Sequence, residues 1–376
     1  MHRDELPHPQ SRRRITQLAG SADALALARL AQSAHPIAVV TATALDAQRL
    51  LEEIGWFSPG LRVCLLPDWE TLPYDRFSPH QDLVSERLAT LYRIQRGEFD
   101  VALAPASTAL VRLAPPAYLA AHTFFLRVGT RLDAEALRRQ LLTAGYQHVT
   151  QVVAPGEYCV RGGIIDLFPM GNPLPLRLDL DDDLIDSIKT FDADTQRTLY
   201  GVNEVRLLPA REFALDEPAR ARFRGRFRET FEGDASKKAL YRDVSSGIPA
   251  AGAEYFLPLF FESVATLFDY LPAEATLALH HDVPAAIDEF WRDAQSRYRM
   301  LGGDPERPLL PPAQIFLPAE EFFLRARSHS RVDLPLERGE PDADQPLAAA
   351  PLPQLAVERR AHDPLGALKG YLETSG

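Results

Sequence analysis

Between Ala22 and Leu113 the chain switches repeatedly between two hydrophobic periods, and this alternation restricts the fold more than any other feature. IAVVT (Ile37–Thr41), LRVCLL (Leu61–Leu66) and VALA (Val101–Ala104) are apolar runs with the length of buried strands. Helical-period segments separate or flank them: ADALALARLAQS, AQRLLEEI opened by Asp46, and LVSERLATLYRI. Short apolar strands alternating with helices predict a parallel sheet covered on both faces. The expectation is one α/β lobe over residues 1–115.

After Pro115 the pattern changes. Asp133 is placed to cap a helix over AEALRRQLLTAGY, and from Val152 to about Leu208 the chain reads as short strands and turns. Residues 116–208 are therefore expected to form a small α+β domain. In LPLRLDL the leucines at 174, 176, 178 and 180 share one parity, so Arg177, Asp179 and Asp181 should face outward together. The DDD that follows suggests a hairpin returning through LIDSIKTF. Residues 209–330 mix helices with the strand ATLALHH, which fits a third piece or a continuation of the first sheet. Residues 331–354 have the acidic, Pro/Ala-rich composition of a linker, and 355–376 read as the start of a following domain.

An apolar content of 46% is ample for packed cores. The formal net charge of -11 argues against an overall basic surface that tracks nucleic acid. Cys64 and Cys159 match no metal-ligand spacing, and reduced thiols in a cytoplasmic monomer are the expectation. The N-terminal Arg12–Arg14 run has no apolar h-region after it, and no stretch has the length of a membrane span.

Asp179, Asp181 and Asp183 copy the opening of a calcium loop. The sixth and twelfth positions, however, are Leu184 and Thr190 where Gly and Glu are needed. His280, His281 and Asp282 follow a strand, where α/β proteins hold ligands. Pro284 and a helix come next, so Asp282 is more economically read as a turn or N-cap residue than as part of a catalytic corner. No hydrolase elbow, zincin motif or C-x-x-C occurs, and no catalytic residue, metal or cofactor is assigned. If Gly20 of QLAGSADALALARL lies inside a former phosphate loop, the lysine and hydroxyl positions of that loop are Asp23 and Ala24. An aspartate there repels a polyphosphate.

Arg161, before Gly162-Gly163 in YCVRGGIIDLFP, and Arg177 have two readings. Each is either an ordinary surface arginine in a weak ion pair or part of a docking patch for an acidic partner, with a bulge at the glycines re-aiming Arg161.

Several stretches together resemble the bacterial transcription-repair coupling factor family. They are LLPDWETLPYDRFSPHQDLVSERLATLYRI, GYQHVTQVVAPGEYCVRGGIIDLFPMG, LRLDLDDDLIDSIKTFDADTQRTL, AGAEYFLPLFFE and DPERPLLPP, and they occur in the family's order. The resemblance implies the UvrB-like N-terminal module. That module has a helicase-like (RecA-like) parallel-sheet lobe without a functional P-loop, an inserted small α+β domain, and a C-terminal segment packing back on the first lobe. It also implies recruitment of UvrA through the small domain, with Arg161 and Arg177 as the contact arginines. Asp181 stands where the family often has a phenylalanine. RNA polymerase, DNA and the ATPase motor are implied to belong to domains absent here, so a recruitment module without motor activity is expected. The alternative is a lobe that is itself an ATP-dependent, DNA-binding enzyme.

Overall fold

A computed structural model describes residues 12–16, 18–33, 36–336, 355 and 362–375. Six strands form a parallel sheet: β1 (Arg12–Arg14), β2 (Ile37–Thr41), β3 (Val63–Leu65), β4 (Val101–Pro105), β13 (Thr276–His280) and β14 (Arg331–Leu334), in the order β1-β14-β13-β2-β4-β3. A second six-stranded sheet comes from the middle of the chain. It comprises β6 (Gln147–His148), β7 (Glu157–Arg161), β8 (Ile164–Leu167), β9 (Leu176–Asp181), β10 (Leu184–Phe191) and β11 (Thr198–Val202). Beside it β5 (Phe124–Arg127) pairs with β12 (Glu204–Leu207). This is an α/β fold consistent with a RecA-like lobe.

Strand parity explains the two cores of the parallel sheet. Ile37 and Val39 face one side, with Leu27, Leu30, Leu50 and Ile54 from helices α1 (Ala22–Gln32) and α2 (Ala44–Phe57). Ala38 and Val40 face the other, with Leu88 and Leu91 from α3 (Gln81–Gln95). The second core continues through Ile165, Leu167, Leu176 and Leu178 into the small sheet, so the two sheets share apolar packing. Both faces of β2 and β4 are buried, which is why they read as unbroken apolar runs.

Local signals mostly act as their chemistry dictates. Asp133 accepts from the amides of Glu135 and Ala136 at 2.9 and 3.0 Å, capping Ala134–Thr143. Asp282 caps Val283–Leu301 through the Ala285 amide at 3.0 Å, the N-cap alternative of the sequence reading. Asp46 does not open α2. Thr43 is the cap, its hydroxyl accepting from the Asp46 amide at 3.1 Å.

Two expectations need correction. Arg331–Leu334, assigned by composition to a linker, is a strand between β1 and β13, because RVDL supplies Val332 and Leu334 to the core while Asp333 holds Arg12 and Arg331. Of the remainder of that linker, residues 337–354 lie outside the described residues. Gly162-Gly163 makes no bulge but closes a two-residue hairpin, with Arg161 paired to Ile164. Gly162 takes the left-handed φ of 59° that the tight turn needs, and a Cβ on Gly163 would stand 3.0 Å from the Leu180 carbonyl. Among the described residues no helix is long and apolar enough to cross a membrane.

Candidate functional site

The small sheet presents one face to its core and one outward. Cross-strand partners share a face, so the register places Arg161, Ile164 and Asp179 in one row and Cys159, Asp166, Arg177 and Lys189 in the next. Arg161 and Arg177 meet on a single carboxylate. Asp166 Oδ2 accepts from Arg161 at 2.6 Å, while its two oxygens accept from Arg177 Nε and Nη2 at 2.7 and 2.9 Å. Asp166 is only 1% exposed, whereas the Arg161 side chain is 55% and the Arg177 side chain 21% exposed.

Two guanidinium groups on one carboxylate leave a net positive cluster, with Arg161 as its open end. Arg177 is the anchored member. Its guanidinium lies 4.9 Å from the ring centre of Phe191, which packs with Val152, Cys159 and Phe168. Its hydrogen bonds to Asp166 raise its pKa against the opposing effect of burial. Strand parity alone places Arg177 on the outward face as a free side chain. There its guanidinium lies over the Phe191 ring and its side chain is only 21% exposed, a tertiary effect invisible in the strand itself.

Asp181 sits exposed at the end of β9, opposite Leu184 across a hairpin whose turn residue Asp182 has φ 52°. The acidic run does not gather. Asp179 accepts from Lys189 and Ser187 at 2.8 and 2.7 Å, bonds that lower its pKa, and Asp183 pairs with Arg131 at 2.5 Å. Asp166 and Ile164 escape notice in the sequence, and Leu184 enters it only as the failed sixth position of a calcium loop. The signal for Asp166 is a lone acid inside the apolar run IIDLFP. Ile164 and Leu184, 38% and 39% exposed, give this face apolar surface that Asp181 cannot.

The N-terminus of α1 forms a second cluster. Gly20 takes a left-handed φ of 57°, Ala24 is fully buried, and Asp23 is 5% exposed in the first turn. The Asp23 carboxylate accepts from its neighbour Ala24 N–H at 2.7 Å, from Arg49 at 2.6 and 3.2 Å, and pairs with His280 Nε2 at 2.8 Å. Burial pushes its pKa up, but the bonds to His280 and Arg49 outweigh it and hold the carboxyl well below the ordinary range. Asp23, His280 and His281 bring ligand atoms within 4.8 Å of one another, yet Arg49 already holds both Asp23 oxygens. His280 is fully buried, and an open cleft of about 440 Å³ beside it is lined by His281 and Asp282.

The loop 67–80 also turns inward. Trp69 and Tyr74 are 5% and 1% exposed, with Trp69 Nε1 donating to Glu212 at 3.2 Å and the Tyr74 hydroxyl to the Leu310 carbonyl at 2.9 Å.

Residues 124–213, the segment from β5 just past β12, match the family model described as the UvrB interaction domain. Over 96% of its length the chain is 42% identical to a transcription-repair-coupling factor of Escherichia coli, and over 97% it is 40% identical to that of Haemophilus influenzae. The chain belongs to the transcription-repair-coupling factor family. It corresponds to the family's N-terminal module. A Myxococcus xanthus coupling factor is 32% identical over 86% of the chain. The chain spans about a third of the length of these curated relatives, 32% in the first two.

Proposed function

We propose that this coupling-factor module recruits the excision-repair protein UvrA through the outward face of the small sheet, inserted in a lobe that binds no nucleotide. The observation that supports the reading is the position of the matched interaction domain, 124–213, on the sheet where Arg161 and Arg177 share Asp166. Arg161 offers its exposed end to a partner carboxylate. Arg177 and Asp166 set its direction, and Ile164 and Leu184 supply apolar contact beside it. Asp181 contributes charge at the rim, where an ion pair is worth little.

Arg161→Ala is expected to weaken UvrA binding by about 2 kcal/mol, roughly 30-fold, with the melting curve nearly unchanged. Arg177→Ala should lower both affinity and stability, because it strips the buried Asp166 of its two-point partner. Titration calorimetry against purified UvrA checks both, and equal binding by wild type and Arg161→Ala would remove the proposal.

The loss of nucleotide chemistry rests on Asp23, which occupies the anion-facing end of α1 with its own carboxylate and is clamped by Arg49. Magnesium-ATP titrated into the chain should give no saturable signal in the micromolar range. A saturable one would favour the alternative, an ATP-dependent lobe. We assign RNA polymerase contacts and translocation on DNA to the two thirds of the full-length relatives that this chain does not span.

A further inference from the structure

The Glu217–Thr230 helix is a strongly basic element in an acidic chain. It carries arginines at 220, 222, 224, 226 and 228 against Glu217 and Glu229, while the whole chain has a net charge of -11. Its buried residues, Ala219, Phe223 and Phe227, define the inward face. At 3.6 residues per turn, Arg220, Arg224 and Arg228 then lie along one flank and Arg222 and Arg226 along the other.

The fold holds these guanidinium groups in place largely with backbone carbonyls. Arg222 donates to the Phe260 carbonyl at 3.1 Å, Arg226 to those of Pro258 and Glu262 at 2.9 and 3.1 Å, and Arg228 to that of Arg224 at 3.0 Å. Arg242, on the neighbouring Ala239–Ser245 helix, donates to the Lys237 carbonyl at 2.8 Å. A neutral acceptor orders a guanidinium without cancelling its charge. Glu217 serves Arg220 and Arg224 at 2.8 and 2.5 Å, and Glu262 reaches Arg222 at 3.7 Å. Among the described residues no carboxylate lies within the 4.0 Å ion-pair range of Arg226, Arg228 or Arg242.

We propose that this helix docks on the phosphate backbone of duplex nucleic acid. The outer ridge between the flanks is Pro218, Ala221, Gly225 and Glu229, with no large apolar side chain. A protein partner needs a buried apolar or aromatic anchor there, whereas a phosphate backbone needs only pre-ordered fork donors and net positive charge. Arginines four residues apart stand about 6 Å apart along the axis, so one flank presents three stations over about 12 Å.

The test is anisotropy of a labelled duplex of arbitrary sequence with the full 376-residue chain, over a salt series. With about three phosphates neutralised, log K should fall against log salt with a slope near -2.7, about 40-fold weaker at 200 than at 50 mM. Arg224→Gln with Arg228→Gln should cost at least tenfold at low salt and flatten the slope by about 2. Arg131→Gln, at an 80%-exposed arginine paired with Asp183 in the other sheet region, should change neither. If the double variant unfolds, Arg228→Gln alone should flatten the slope by about 1. Three results would overturn the proposal: no saturable duplex binding at low salt, unchanged binding by the folded arginine variants, or displacement of the duplex by polyglutamate at lower charge concentration than by unlabelled duplex.

Discussion

Asp23→Ala is expected to lower the unfolding free energy by about 3 kcal/mol, the scale of breaking a buried ion pair by deleting one partner. The carboxylate is the meeting point of α1, α2 and β13. Its loss leaves His280, fully buried, without its partner and frees Arg49 to relax toward Glu53. Among the described residues His280 Nδ1 has no hydrogen-bond partner, and the deletion leaves Nε2 only its long 3.5 Å contact with Arg49. Asp23→Asn keeps the shape and removes the charge, and should cost less. The folded carboxyl titrates below its ordinary 3.8, so the stabilisation is complete above that range and is lost as pH falls through the lowered folded value. Urea unfolding at pH 7 measures the loss directly. A change under about 1 kcal/mol for the alanine variant would mean that the cluster is incidental.

Glu254→Gln should remove a pH dependence of the opposite sign. Glu254 is 7% exposed in the Ala253–Leu259 3-10 helix, and its pKa is raised to about 7, by burial first and by the nearby Glu212 charge. Ser78 donates to it at 2.9 Å, tying the loop 67–80 to this helix. The folded state therefore binds a proton more tightly than the unfolded chain, whose glutamate titrates near 4.5. Its contribution is fully present below 4.5 and is lost as pH rises toward 7, a change of about 3 kcal/mol at most. The difference in unfolding free energy between wild type and Glu254→Gln, taken at pH 5 and pH 8, should shift by that order in favour of the glutamine variant. A difference that stays level with pH would show that Glu254 is ionised in the fold throughout this window.

Both sites illustrate what could be read in advance. The aspartate at position 23 was legible as a carboxylate in the first turn of a helix. That Arg49 and His280 complete it was not, because they lie 26 and 257 residues away and meet only when α2 and β13 pack beside α1. On the small sheet, leucine parity placed Arg177 on the outward face. It could not show that Arg177 would lie over the buried ring of Phe191 or that Asp166 would bind both arginines. For Arg331–Leu334 composition misled outright: four residues with two apolar members look like the edge of a linker until β1 and β13 supply their partners.

Hydrophobic period, capping residues and turn glycines act within a few bonds of themselves, so the chain alone determined the strand–helix alternation, the outward parity of Arg177 and the caps at Asp133 and Asp282. Which charges end up together depends on contacts between distant segments. Only the packed structure decided that one buried carboxylate would hold two arginines on the small sheet and another would fill the head of α1, since removing a charge from water is tolerable only where partners from elsewhere in the chain surround it.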